Sequence, residues 1–113
     1  MIPAKLNLIC PQGTTFLKTF RVYDENDAPF DLTGYTAAMQ VREKYPSTTY
    51  LFQVTTGSGI TISGNTITVE VHYSVTTDFR EGDYVWDIEI TSPADKRDRV
   101  LQGIFMVTPE VTR

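Results

Sequence analysis

Apolar and polar residues alternate at every second position along much of this chain, which is the pattern of half-buried β-strands. The alternation predicts seven or eight strands, over residues 5–10, 14–23, 35–43, 50–55, 60–62, 66–72, 83–91 and 99–108. The segments between them are rich in residues that favour turns. The one helical feature that we expect is a single turn at 74–79, with Ser74 as its cap. The pattern therefore predicts an all-β fold.

Several of these strands have one apolar face and one polar face. Tyr84, Trp86, Ile88 and Ile90 share one face of the strand at 83–91. The same alternation points two further sets inward, namely Ile67, Val69 and Val71, and Ala37, Met39 and Val41. Two sheets packed face to face would bury these sets together, so we predict an antiparallel β-sandwich.

Tyr84 and Trp86 suggest which kind of sandwich this is. Tyr84 begins its strand just after Gly82, where immunoglobulin-like domains have a tyrosine whose hydroxyl bonds back to the upstream backbone. Trp86 stands two residues later, at the usual place of a cysteine. We expect an immunoglobulin-like fold in which Tyr84, Trp86 and Ile88 belong to the structural core.

The last strand is apolar on both faces, because Leu101, Phe105 and Val107 alternate with Val100, Ile104 and Met106. In a two-layer sandwich the second face has no layer of its own to cover it. We therefore predict that Ile104 and Met106 contact another protein.

The N-terminal strand offers two more candidate assembly contacts, Leu6 and Leu8, in a short apolar segment followed by Pro11 and Gly13. One hypothesis is that residues 1–13 pair with the sheet edge of another subunit. The alternative is that the segment forms the first strand of its own sandwich. Cys10 alternates with Leu6 and Leu8, and we interpret it as a small buried apolar residue.

Length and charge narrow the class of protein. The chain has 113 residues, which fits a single domain over 1–113. Ten basic and fourteen acidic residues are scattered along it, so binding to nucleic acid is not expected. The sequence contains no apolar run of the length that a membrane span or a signal peptide requires. A single cysteine excludes an internal disulfide.

Residues for catalysis are scarce. One histidine, His72, lies on the polar face of a predicted strand, and no nucleophile stands beside a base. The acidic loop at 24–31 resembles a calcium loop, but Pro29 and Tyr35 occupy the positions that need glycine and glutamate. We expect a turn there, and we predict a protein with no enzymatic activity, no cofactor and no metal.

A receptor- or carbohydrate-binding module is the alternative function. It would use aromatic residues near the predicted turns: Tyr23, Phe30, Tyr35, Tyr45, Tyr50 and Tyr73. Tyrosine is also enriched where protein surfaces meet, so these residues fit a subunit interface as well.

Two stretches carry a family resemblance, DLTGYTAAMQVR at 31–42 and VTPEVTR at 107–113. Together with the segments at 13–16 and 82–90, they resemble small phage virion proteins similar to the immunoglobulin-like N-terminal domain of the baseplate upper protein of tailed phages. The resemblance implies a repeated building block of the virion, whose partners are other phage structural proteins or further copies of itself. Because nothing follows Arg113, we expect a decoration, neck or collar, tail or baseplate adaptor subunit.

Overall fold

The structure is a computed structural model that describes residues 3–44 and 49–111. Its strands are β1 (Ala4–Lys5), β2 (Leu8–Pro11), β3 (Phe16–Arg21), β4 (Thr36–Arg42), β5 (Phe52–Thr56), β6 (Gly59–Ser63), β7 (Thr66–Val71), β8 (Gly82–Thr91) and β9 (Arg97–Thr108). A four-residue helix, α1 (Tyr73–Thr76), follows β7. In these two ranges no helix is long and apolar enough to cross a membrane. The prediction of an all-β fold is confirmed.

The strands form one curled sheet in the order β1-β9-β8-β4-β5-β6-β7-β3, and β2 also pairs with β9. The sheet is mixed, so the prediction of a purely antiparallel arrangement is wrong. Both β1 and β2 run parallel to β9, so the first and last strands of the chain lie side by side and point in the same direction. A short parallel pairing also joins β5 to β6.

Aromatic contacts across the interior join strands that are not neighbours in the sheet. Phe20 of β3 stacks on Trp86 of β8, with ring centroids 5.5 Å apart and planes inclined by 30°. Phe105 of β9 meets Phe16 of β3 at 5.3 Å and Phe52 of β5 at 5.5 Å, both edge-on. The sheet is therefore curled around one apolar core, to which Trp86 belongs as predicted.

The N-terminal segment is part of this core. Leu8 and Cys10 are buried, and their strand pairs with β9 of the same chain. The indole Nε1 of Trp86 donates a hydrogen bond to the Leu6 carbonyl at 3.0 Å. That carbonyl lies directly over Gly103, where a Cβ atom would be only 1.9 Å from the Leu6 oxygen. The segment thus belongs to its own domain, because β1 and β2 pair with β9 and the side chains of Leu8 and Cys10 are buried.

The start of β8 has the predicted tyrosine contact. The Tyr84 hydroxyl donates to the Arg80 carbonyl at 2.7 Å, which ties the strand to the turn that precedes it. The predicted helical turn also exists, as α1, but Ser74 is not its cap. The cap is His72, whose Nδ1 accepts a hydrogen bond from the Ser74 backbone N–H at 3.2 Å.

Candidate interaction surface

A β-bulge brings a charged side chain onto the outer face of the sheet. The β8–β9 register shifts after Ile88, so that Ile88 lies opposite Leu101 whereas Glu89 lies opposite Arg99. Val100 is the extra residue, and both it and Leu101 are buried. A regular strand would give Arg99 the same inward direction as Leu101. The bulge instead turns Arg99 outward, which is a recurrent use of such irregularities.

The outer face of β4, β8 and β9 forms an open groove of about 400 Å³. Arg99 lies across it from Asp87, with 3.2 Å between Nε and Oδ2. On the neighbouring strand, Arg42 Nε donates to the Gln40 side-chain oxygen at 3.0 Å. The Gln40 amide nitrogen donates in turn to the Gln53 side chain. Paired charges and side-chain amides therefore cover this face in an ordered network.

The electrostatics of the groove are balanced between two cations and two carboxylates. Burial raises the pKa of Asp87, and the nearby Glu89 raises it further, while Arg99 and Arg42 oppose part of this shift. The residues that line the groove include no serine, cysteine or histidine. Such a surface can both donate hydrogen bonds to a partner and accept them from it.

An apolar strip borders the groove on the outer face of β2 and β9, which are called the end strands because they lie near the two ends of the chain. It consists of Ile9, Ile104 and Met106, which are 63%, 37% and 39% exposed. Ile9 lies opposite Met106 in the β2–β9 register, and Ile104 lies opposite Val85 of β8. These positions place three large, partly exposed apolar side chains next to one another on the same face of the sheet.

The predicted assembly contacts fall into different places. Ile104 and Met106 lie in the apolar strip, and Leu6 is also partly exposed, in the link between β1 and β2. Leu8 is buried in the chain's own core, so we remove it from the candidate contacts. Ile9, the most exposed member of the strip, was not predicted. Its signal in the sequence was an apolar residue at the outward position of an alternating strand.

The tyrosines proposed for ligand binding do not gather into one platform among the described residues. Tyr23 and Tyr35 lie at the end of the fold where β4 begins. Tyr50 and Tyr73 lie at the opposite end, where β4 finishes and β7 leads into α1. Tyr45 lies outside the described residues. The length of a strand therefore separates the two groups.

The acidic loop is a turn, as predicted. The Asp24 carboxylate accepts hydrogen bonds from the backbone N–H groups of Asn26 at 2.8 Å and Ala28 at 3.0 Å. Asp27 has a left-handed backbone with φ of 59°. In residues 3–44 and 49–111, no group of three or more acidic, histidine or cysteine side chains could hold a metal ion.

The DLTGY motif shapes the connection from β3 to β4. Asp31 accepts hydrogen bonds from the backbone and hydroxyl of Thr33, and Leu32 is fully buried. Gly34 takes a φ of +81°, a conformation that favours glycine. This motif therefore anchors a turn to the core through Leu32.

The cysteine and histidine both have structural roles. Cys10 is fully buried, which confirms its interpretation as a small apolar residue, and burial raises the pKa of its thiol to about 11. The thiol is therefore protonated near neutral pH and is a weak nucleophile. His72 caps α1 through its ring nitrogen.

Comparison with protein-family profiles and with curated proteins gives no match to this chain. Among the described residues, the apolar strip and the polar groove beside it form one continuous surface on the outer face of β2, β9, β8 and β4.

Proposed function

We propose that this chain is a non-enzymatic structural subunit of a tailed bacteriophage virion, and that it assembles through the outer face of β2, β9, β8 and β4. Its partners are other structural proteins of the particle or further copies of itself. The phage assignment is supported by the stretches at 31–42 and 107–113. The choice of surface is supported by the exposed side chains of the end strands.

We also propose that the fold is immunoglobulin-like. The order β2-β9-β8-β4-β5 matches a front sheet A′-G-F-C-C′, and β6-β7-β3 matches a back sheet D-E-B. The bond from Tyr84 to the Arg80 carbonyl is of the tyrosine-corner type. The contact of Phe20 with Trp86 joins the strands that would be B and F.

The observation that carries the proposed function is the apolar strip. Protein interfaces combine an apolar centre with a polar rim, and methionine and arginine are enriched in them relative to the rest of the surface. The strip supplies the apolar part, and the groove beside it supplies Arg42 and Arg99. Since Arg99 already pairs with Asp87 within the domain, a binding protein can share this contact without leaving the Arg99 charge unpaired.

Copurification tests the proposal. Particles are purified from an infected or induced culture that carries this gene, and the chain is quantified by mass spectrometry relative to the major capsid protein. We expect a fixed, repeated copy number per particle that survives density-gradient purification. A chain that is abundant in the soluble lysate but absent from washed particles would contradict the proposal. Retention of the chain on glycan arrays would then support the receptor-binding alternative.

A further inference from the structure

Strand β3 lies at one end of the strand order, so one of its two edges has no neighbouring strand among the residues that the structure describes. Such an edge presents backbone N–H and C=O groups that a strand of another chain can bind. Phe16 and Phe20 of β3 are buried, and they alternate along the inner face of the sheet. The edge is therefore close to the apolar core.

Lys18 occupies the position between these two phenylalanines on the same inner face. It lies opposite Val69 of β7, which is fully buried, yet Lys18 itself is exposed. A lysine can reach water from such a position because its long apolar stem extends past its neighbours. In residues 3–44 and 49–111, no carboxylate forms a salt bridge with it. Among these residues, the Lys18 ammonium therefore does not serve as one half of an ion pair.

We infer that Lys18 closes the β3 edge against strand addition, and that the strand it excludes is the β3 of a second copy of this chain. Edge-to-edge pairing would extend one sheet into the other and would cover the inner side of the junction. The Lys18 ammonium would lose its water there without gaining a counterion. Inward-pointing lysines on edge strands are a known protection against such pairing.

Repulsion between positive charges would also oppose the pairing of two β3 strands. Copies related by a two-fold axis near the middle of β3 would bring their two Lys18 side chains close together, and like charges on facing strands repel. Arg21 places a second positive charge on the same strand. This inference concerns the isolated chain, so it holds whether or not the protein belongs to a virion.

The test compares the association of Lys18→Val with that of the wild type, by sedimentation velocity over a wide range of concentrations. Valine favours strands and matches Val69 across the pair. We expect the weight-average mass of Lys18→Val to exceed that of the wild type at equal concentration, and to rise with concentration towards twice the monomer mass. Thr19→Val is the matched control, because it adds the same residue to the opposite face of the same strand. Lys18→Arg keeps the charge, and both controls are expected to retain the wild-type mass.

Circular dichroism establishes that each variant is folded. A folded Lys18→Val with the wild-type mass at every concentration would overturn the inference, as would equal association of Thr19→Val. If Lys18→Val does not fold, Lys18→Thr decides, because it removes the charge without adding apolar surface. Association of folded Lys18→Thr above the wild-type level supports the inference, and its absence contradicts it.

Discussion

Phe20 and Trp86 stack across the interior of the sheet, with 5.5 Å between their ring centroids, and so connect β3 to β8. In the immunoglobulin-like order that we propose, these are strands B and F, which a disulfide joins in antibody domains. A chain with one cysteine cannot form that bond. The stacked pair provides an apolar contact at the equivalent place, so the stability of this domain depends on packing.

Removing either ring is expected to destabilise the fold strongly. Phe20→Ala and Trp86→Ala should each lower the free energy of unfolding by roughly 3–5 kcal/mol, because each leaves a cavity in the core. The double variant should lower the free energy of unfolding by less than the sum of the two single-variant effects, since the two rings contact each other. Urea unfolding measures all three. Leu17→Ala, on the exposed face of β3, is the control and should change stability by no more than about 0.5 kcal/mol. Wild-type stability of Trp86→Ala would contradict this account of the core.

Gly103→Ala tests the docking of the N-terminal segment. A methyl group at this position would overlap the Leu6 carbonyl, so the segment must shift and Trp86 must lose its hydrogen bond. We expect the Cys10 thiol, buried in the wild type, to become reactive towards a disulfide reagent under native conditions. Thiol labelling at pH 8 measures the effect. A thiol as well protected in Gly103→Ala as in the wild type would show that the contact is unimportant.

Tyr84→Phe isolates the hydrogen bond to the Arg80 carbonyl. The ring stays, so the expected loss is that of one hydrogen bond, about 0.5–1.5 kcal/mol. Tyr73→Phe is the control, because Tyr73 is an exposed residue at the same end of the fold. Thermal unfolding of the two variants gives the comparison. Equal effects would remove the argument for a tyrosine corner.

The pH dependence of stability should reveal Asp87. Its pKa in the folded state is raised above the ordinary value of 3.8, mainly by burial. Between pH 3.8 and the raised pKa, the folded state therefore binds more protons than the unfolded state. The contribution of Asp87 to stability therefore falls as the pH rises from 3.8 through the raised pKa. Asp87→Asn lacks this loss, so its stability relative to the wild type should increase with pH, by no more than about 1 kcal/mol at this partly exposed site.

Asp31→Asn provides the opposite case. Hydrogen bonds from Thr33 lower the pKa of Asp31, so its contribution is present above the ordinary value of 3.8 and is lost as the pH falls through the lowered pKa. The stability of Asp31→Asn relative to the wild type should therefore decrease as the pH rises. Urea unfolding between acidic and neutral pH measures both variants. The same trend in the two would contradict the assignments.

The alternation of residues predicted most of the strands and the inward position of Trp86, because burial of one face leaves a period of two in the sequence. It could not predict that β1 and β2 run parallel to β9. The direction of pairing depends on contacts between distant residues, such as the Leu6 carbonyl with the Trp86 indole. For this reason the assignment of Leu8 to an assembly surface was wrong, although its apolar character was correctly noted.

The interaction surface could be predicted only in part. Ile104 and Met106 were visible because they made a second apolar face on one strand. Arg99 could not be placed, because the bulge at Val100 changes which side of β9 it occupies. A local irregularity of this kind has no clear signature in a run of charged and apolar residues. Ile9 did leave a signal, in its position between two buried residues of β2.

Incorporation of surface variants into particles tests the central claim most directly. The amounts of wild type, Met106→Glu and Leu17→Glu are measured in gradient-purified particles. Met106 lies in the apolar strip, whereas Leu17 is a 62% exposed apolar residue on the outward face of β3, on the other side of the core. We predict that Met106→Glu is reduced about tenfold or more and that Leu17→Glu matches the wild type. Wild-type incorporation of folded Met106→Glu, or equal loss of Leu17→Glu, would contradict assembly through the outer face of the end strands.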